Sequence, residues 1–389
     1  MGSYEPEPQE LYTETPCIRS AALSQAIGCN VFLKLENLQP AGSFKSRGIG
    51  HMMRAAAGAR PDARFYCSSG GNAGLACATA AAALRRPCTV VVPLTTPAHM
   101  IDKIRALGAQ VHQVGAHWER ADAHLRAELL ARDPAGVYVP PFDHADIWAG
   151  VSTLVDELAA DAPAPDAILC NCGGGGLLNG VMEGVERNYG AASAPEPADE
   201  DEGKDEGAGR RLRAAGGKRP TVVVAETRGA ESLHASLAAG RLVALPAITS
   251  VATSLGAPRV SERTFRWATE EYDYYDDDDD GRRQQRQRQR RKLVSVVVTD
   301  AEAVAAAARF ADDARMLVEV ACGATLAVAY SGELRRLLAA EEGRGHEGFG
   351  DEEWARKNVV VIVCGGSNIS LDLLRAYQEK FGLKTGPGQ

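Results

Sequence analysis

The sequence predicts an α/β protein whose parallel sheets are covered by helices on both faces. Two observations carry this. Short apolar runs rich in β-branched residues recur along the chain: "CTVVVP" at 88–93, "TVVVAET" at 221–227 and "NVVVIVCGG" at 358–366. Between them lie segments with apolar residues at helical spacing, such as "AHMIDKIRALG" at 98–108, which stops on Gly108. Strands that are apolar throughout are buried on both faces, and helices between such strands supply the crossovers a parallel sheet needs.

In chain order, "NVFLKLE" (30–36) reads as a strand, and "RFYCSS" (64–69) as a strand running into glycines. Alanine, the best helix former, dominates 72–86, so a helix is expected there. A strand at 88–93, the helix at 98–108, a strand at 109–115 and an amphipathic helix at 118–133 follow. After "VYVPPFD" (137–143) the alternation resumes, with strands at 166–172, 221–227, 293–299 and 358–366. Two low-complexity insertions interrupt it. Residues 191–219 are rich in Ala, Gly, Pro and charge, and 273–292 set an acidic block beside a basic one. Neither can bury an apolar face, so both are expected as mobile surface loops.

The chain has 389 residues, 45% hydrophobic and 24% charged, which is more than one simple core accommodates and points to two domains. The net charge of -8 gives no reason to expect a nucleic acid partner, and Asp276–Asp280 would compete for the arginines at 282–291. The first residues lack the apolar stretch of a secretory signal, and no run is long enough to span a bilayer. A cytoplasmic protein with reduced thiols and no membrane partner is expected. The nine cysteines are irregularly spaced, and Cys170 and Cys172 read as strand residues rather than zinc ligands.

Three strands run into glycines. After "DAILCNC", Gly173, Gly174, Gly175 and Gly176 lead into a helix near Leu177. Without Cβ atoms, successive N–H groups can converge there and join the positive end of the helix to form a phosphate cradle. Neither nucleotide signature fits: no Lys-Ser or Lys-Thr follows, and Leu178 or Asn179 stands where the last glycine of G-x-G-x-x-G is required. "CSSGGNAG" (67–74) adds the polar side chains of Ser68, Ser69 and Asn72, which suits a smaller anion such as a carboxylate. In "VCGGSNIS" (363–370), Cys364 would stand at a strand's carboxyl end, where ligands gather in open α/β sheets.

Lys45, in "AGSFKSRGIG" (41–50), lies where an extended segment gives way to a helix. A desolvated lysine has a lowered pKa and can act as nucleophile or base. Schiff-base chemistry with pyridoxal phosphate needs such an amine, a phosphate anchor, a carboxylate site and a group for the pyridine nitrogen. Lys45, the 173–176 loop, the 68–72 loop and Cys364 offer all four.

With these stretches, the sequence resembles the serine/threonine dehydratase family of pyridoxal-phosphate enzymes, of the tryptophan synthase β-like fold (fold type II), and looks closest to its L-serine dehydratase (L-serine ammonia-lyase) branch. The matching stretches include "VFLKLENLQPAGSFKSRGIG", "CSSGGNAG", "YVPPFDHADIWAG", "GGGGLLNG", "ETRGAESLHA", "LPAITSVATSLGA", "LVEVACGATLA" and "VIVCGGSNIS", in family order over nearly the whole chain. The resemblance implies a homodimer of two-domain subunits, with a small domain at 39–142 inserted into a large cofactor domain formed by 1–38 and 143–389. It implies that Lys45 forms the Schiff base, Phe44 lies against the ring, and Ser68, Ser69, Gly70 and Asn72 hold the substrate carboxylate, with Asn72 also near the cofactor's phenolic oxygen. Gly173 to Gly176 and Leu177 would bind phosphate, and Cys364 would face the pyridine nitrogen. Glu226, Ala230, Ser232, Leu255 and Ala257 would surround a potassium ion. Some serine dehydratases carry alanine where Gly70 stands, and glycine is expected to widen that loop. The implied reaction is deamination of L-serine to pyruvate and of L-threonine to 2-oxobutanoate. A threonine-preferring dehydratase, a racemase and a β-replacement enzyme share the fold and remain alternatives.

Overall fold

Strands drawn from the two ends of the chain meet in one sheet, and strands from a single stretch between them form another. The computed structural model describes residues 10–190, 219–277, 283–290, 293–345 and 348–383, with backbone alone at 272–277 and 283–290. The strands are β1 (Cys17–Arg19), β2 (Asn30–Lys34), β3 (Arg64–Cys67), β4 (Cys88–Val92), β5 (Gln110–Gln113), β6 (Gly136–Tyr138), β7 (Ala167–Asn171), β8 (Thr221–Thr227), β9 (Glu271–Asp277), β10 (Arg283–Arg290), β11 (Leu293–Val298) and β12 (Asn358–Ile362).

The larger sheet has the order β1-β2-β12-β7-β8-β11, and the smaller β5-β4-β3-β6. Every pairing in both is parallel except that of β1 with β2. Position follows composition. Every residue of β7 and β8 is buried, and both strands are central, whereas the mostly exposed β1 is an edge. One apolar cluster runs through both sheets, taking in Phe65 and Val90 of the smaller and Leu169 and Val361 of the larger.

Residues 273–292 depart from the loop expected. β9 and β10 pair antiparallel, with Arg288 in register with Asp273 and Arg290 with Glu271. The acidic and basic blocks, which cannot build a core, thus form a backbone-paired ribbon. Of the other insertion, 191–218 lie outside the described residues. The helix expected over 118–133 is α-helical only at Trp118–His124, continuing as a π-type turn at Leu125–Leu129 and a 3-10 turn at Leu130–Arg132. Among the described residues no helix is long and apolar enough to cross a membrane.

Helix Lys45–Ala59 is fixed from two sides. Gly48 and Gly150 let it cross helix Ala145–Asp161 closely: a Cβ on Gly48 would lie 2.5 Å from Ile147 O. Beneath the crossing, the Arg47 guanidinium, fully buried, donates to Glu36 (2.7 and 2.8 Å) and to Glu157 (2.5 and 2.7 Å). Lys34 Nζ donates to Glu157 and, at 2.6 Å, to Thr15 O. The network joins β2, the turn after it and both helices, and so sets where the chain enters the helix that Lys45 begins.

Candidate active site

Lys45 is the first residue of its helix. The residues before it are stitched to the segment leaving β12: Phe44 N–H donates to Cys364 O at 3.1 Å, Gly366 N–H to Gly42 O at 2.8 Å, and Ser43 bridges Gly365. Lys45 Nζ lies 5.2 Å from the centroid of the Phe44 ring and donates to Pro141 O. Burial pushes its pKa down to about 8, against the opposite pull of the Cys67 and Cys364 thiols. A partly neutral amine near physiological pH is what nucleophilic attack on a carbonyl requires.

The glycine loop lies across the same wall. A Cβ on Gly174 would stand 2.3 Å from the Phe142 ring, next in sequence to Pro141. Gly175 has φ +101°, and a Cβ there would meet Thr264 Oγ1 at 1.7 Å. Any larger residue at either position would displace the loop and its N–H groups. Helix Gly176–Tyr189, which includes Leu177, starts here with no side-chain cap. The loop is pinned by Ser261 N–H donating to Gly174 O at 3.0 Å, and the Asn179 amide holds Ser261 and Thr264. An uncapped helix start fed by glycines suits a phosphate.

Cys364 is buried and accepts from Asn171 Nδ2 at 3.0 Å. Its hydrogen bond with the Cys322 thiol, then burial, push its pKa well up, so the thiol is neutral. All nine cysteines are free. Cys170 and Cys172 are buried, and among the described residues no cluster of His, Cys, Asp or Glu could hold a metal.

The 68–72 turn is built differently from the expectation in one respect. The fully buried Ser68 donates its hydroxyl to Asp122 Oδ1 at 2.7 Å, an oxygen that also accepts from Tyr138 OH at 2.7 Å, so that hydroxyl is already committed. Ser69 Oγ accepts from Gly71 N–H at 3.3 Å. Gly70 does not simply widen the loop, because Thr96 takes up the space: a Cβ at 70 would fall 2.5 Å from Thr96 Cγ2. Asn72 starts helix Asn72–Leu84, which has no side-chain cap either. Its amide donates to Glu319 Oε1 at 2.9 Å and accepts from Ser367 N–H at 2.8 Å.

Of the five residues expected around a cation, Leu255 lies beside the glycine loop: a Cβ on Gly173 would be 3.0 Å from Leu255 Cα. Glu226 is buried and accepts from Leu233 N–H and His234 N–H, each at 2.8 Å. Burial pushes its pKa up to about 8, which the two N–H groups only partly offset. The buried Ser232 hydroxyl has no hydrogen-bond partner among the described residues. Ala230 and Leu255 are buried and Ala257 is half-buried.

Sequence reasoning missed Asn171, Cys322, Glu319 and the Pro141–Phe142 wall. A weak signal existed for Asn171, the polar residue in an otherwise apolar strand. The others act only through contacts made across the chain. Taken together, a desolvated amine, an uncapped glycine cradle on the same wall and a neutral buried thiol fit pyridoxal phosphate.

The comparisons with known proteins agree. The family model described as "Pyridoxal-phosphate dependent enzyme" matches residues 9–199 and 206–365. An "L-serine dehydratase/L-threonine deaminase" of Mus musculus is 40% identical over 382 residues, covering 97% of this chain and 98% of its own. A "Serine dehydratase-like" protein of Rattus norvegicus is 43% identical over 362 residues, covering 93% and 92%. The crystal structure of a fungal L-serine ammonia-lyase from Rhizomucor miehei superposes with a TM-score of 0.75 at 32% identity, covering 96% of this chain and 100% of that one. The chain thus belongs to the pyridoxal-phosphate dependent enzymes of fold type II, in their serine/threonine dehydratase family.

Proposed function

We propose that the protein deaminates L-serine to pyruvate and ammonia, and L-threonine to 2-oxobutanoate, with pyridoxal 5'-phosphate as cofactor. The observation that carries this is the Lys45 amine, lowered to about pH 8 and sharing a wall with the glycine cradle. The bound cofactor supplies an electron sink for negative charge at the substrate Cα.

The chain's own residues do the rest. Lys45 would hold the cofactor through its amine, and the same partly neutral amine is the base that would take a proton from the substrate Cα. The N–H groups of Gly173 to Gly176 and Leu177 hold the phosphate at a helix N-terminus. Ser69, Gly70 and Asn72, with the Ser68 backbone, receive the substrate carboxylate, and Phe44 packs on the ring. The Cys364 thiol, kept neutral, would stand at the pyridine nitrogen and leave it without a full proton. Glu226, Ser232 and the Ala230, Leu255 and Ala257 segments take a potassium ion. The orphaned Ser232 hydroxyl and the raised Glu226 pKa support this, since a cation there would satisfy one and ionise the other.

The division into a small domain at 39–142 and a large one at 1–38 and 143–389 belongs to the same proposal, as do a homodimer and a catabolic role in the cytoplasm. The smaller sheet's strands, all between Arg64 and Tyr138, support that division.

The loaded protein should be yellow and bleach with borohydride, and Lys45→Ala should release no pyruvate from serine. Normal turnover by Lys45→Ala would end this reading. Feeding serine with and without sulfide should yield pyruvate; D-serine or cysteine as the main product would assign a racemase or a β-replacement enzyme instead.

A further inference from the structure

Glu319 has four-hundredths of its surface exposed and lies outside every role given above. It stands at the start of helix Val320–Tyr330, the helix that carries Cys322. Its Oε1 accepts from Asn72 Nδ2 at 2.9 Å and from Asn368 N–H at 2.7 Å, and its Oε2 accepts from Ser254 Oγ. One carboxyl group therefore ties the start of helix Asn72–Leu84 to the turn Thr253–Leu255 and to the loop after β12. Gly366 makes room for it, since a Cβ there would lie 2.2 Å from Glu319 Cδ.

This arrangement decides which way the Asn72 amide points. Asn368 N–H can only donate, so the oxygen it meets acts as an acceptor, and the Asn72 atom on the same oxygen must be the NH₂. On the other side Ser367 N–H can only donate, so it must meet the Asn72 carbonyl. Two one-way partners exclude the flipped amide. The second N–H of Asn72 is left with Ser254 Oγ, at a loose 3.3 Å. A loosely held donor is the one most readily given up to an anionic oxygen arriving in the cleft.

We propose that Glu319 is a positioning residue: by accepting one Asn72 N–H it fixes the amide so that the other, held only loosely by Ser254, can be given up to the cofactor's phenolic oxygen. The inference rests on the function proposed above. Glutamine can reproduce it, because its carbonyl can take both bonds made by Oε1, and its NH₂ can donate to Ser254 once that hydroxyl turns. Alanine cannot.

The test compares wild type, Glu319→Gln, Glu319→Ala, Asn72→Ala and the double alanine variant, each purified and loaded with pyridoxal phosphate. Glu319→Gln should keep kcat for L-serine within about threefold of wild type, whereas Glu319→Ala should lose tenfold or more. The double variant should be no slower than Asn72→Ala alone, because Glu319 acts through that amide. Two readouts do not depend on turnover. The absorption band and induced circular dichroism of the bound cofactor should shift in Glu319→Ala as they do in Asn72→Ala, and Glu319→Gln should restore the wild-type signal. Hydrogen exchange of the cofactor-free protein should quicken at 68–75 in Glu319→Ala and in Asn72→Ala, and stay at the wild-type rate in Glu319→Gln. Additive losses in the double variant, or a Glu319→Gln variant as impaired as Glu319→Ala, would overturn the proposal. Failure of the wild type itself to bind the cofactor through Lys45 would overturn the function proposed above, a result that the variant comparison cannot mimic.

Discussion

A lysine amine in water stays protonated to about pH 10.4 and is a poor nucleophile at neutral pH. At Lys45 burial removes much of the water that favours the ammonium form, and the pKa falls to about 8. The condensation of cofactor-free protein with pyridoxal phosphate should accordingly speed up with pH and level off just above 8, as followed by stopped-flow absorption. A midpoint near 10 would show that the amine is not desolvated. Gly175 is the second residue whose identity is dictated by contact. With φ +101° and a Cβ position 1.7 Å from Thr264 Oγ1, Gly175→Ala combines a left-handed backbone penalty with overpacking. The sum is about 2–5 kcal/mol of lost stability, measurable by urea denaturation. Cofactor affinity should fall with it, because the same shift moves the loop N–H groups proposed to hold the phosphate.

At the scale of elements, the helix that begins with Lys45 depends on Arg47 two residues on. Arg47 and Lys34 neutralise Glu36 and Glu157 in a buried crossing between helices and β2. Removing one partner from such a network leaves a buried charge alone, so Arg47→Ala should cost about 3–5 kcal/mol in denaturant unfolding. The Glu157 carboxyl shows the same coupling. Burial alone would raise its pKa, but Arg47 and Lys34 hold it below the usual carboxylate range. Its contribution is therefore complete above the unfolded value near 4.5 and is lost as the pH falls through its lower folded value. Much at this scale could be read from the chain. β7, β8 and β12 follow from unbroken apolar runs, and the helix at Ala98–Ala106 ends at Gly108 with φ +85°. The ribbon of β9 and β10 could not be read, because a strand so rich in charged and amide side chains carries no apolar alternation to mark it.

Glu226 adds to the pH response of the whole molecule with the opposite sign. Its folded pKa, about 8, lies above the unfolded value of 4.5, so the folded state retains a proton that the unfolded chain has released. Between those limits stability should fall as the pH rises. A potassium ion bound by the ionised carboxylate would reverse part of that loss. The melting temperature at pH 8 should then be higher in potassium chloride than in tetramethylammonium chloride, with the gap closing toward pH 5. Equal melting curves at pH 8 would remove the cation from this site. The segment carrying Leu255 packs on Gly173, so an ion there would also stiffen the phosphate cradle, and serine turnover should rise with it.

The alternation of apolar strands with helices, the three glycine-ended strands and the candidacy of Lys45 were legible in the sequence alone, because periodicity and residue type act locally and leave their mark on neighbouring positions. The orientation of Ser68 toward Asp122, the space at Gly70 filled by Thr96, and the union of Asn171, Cys322 and Cys364 were decided only by the tertiary structure. Glu319 belongs to that second group, 247 residues from the amide it holds. Hydrogen bonds and contacts of this kind join residues that have no periodic relation to each other, so they exist only once the two sheets are packed.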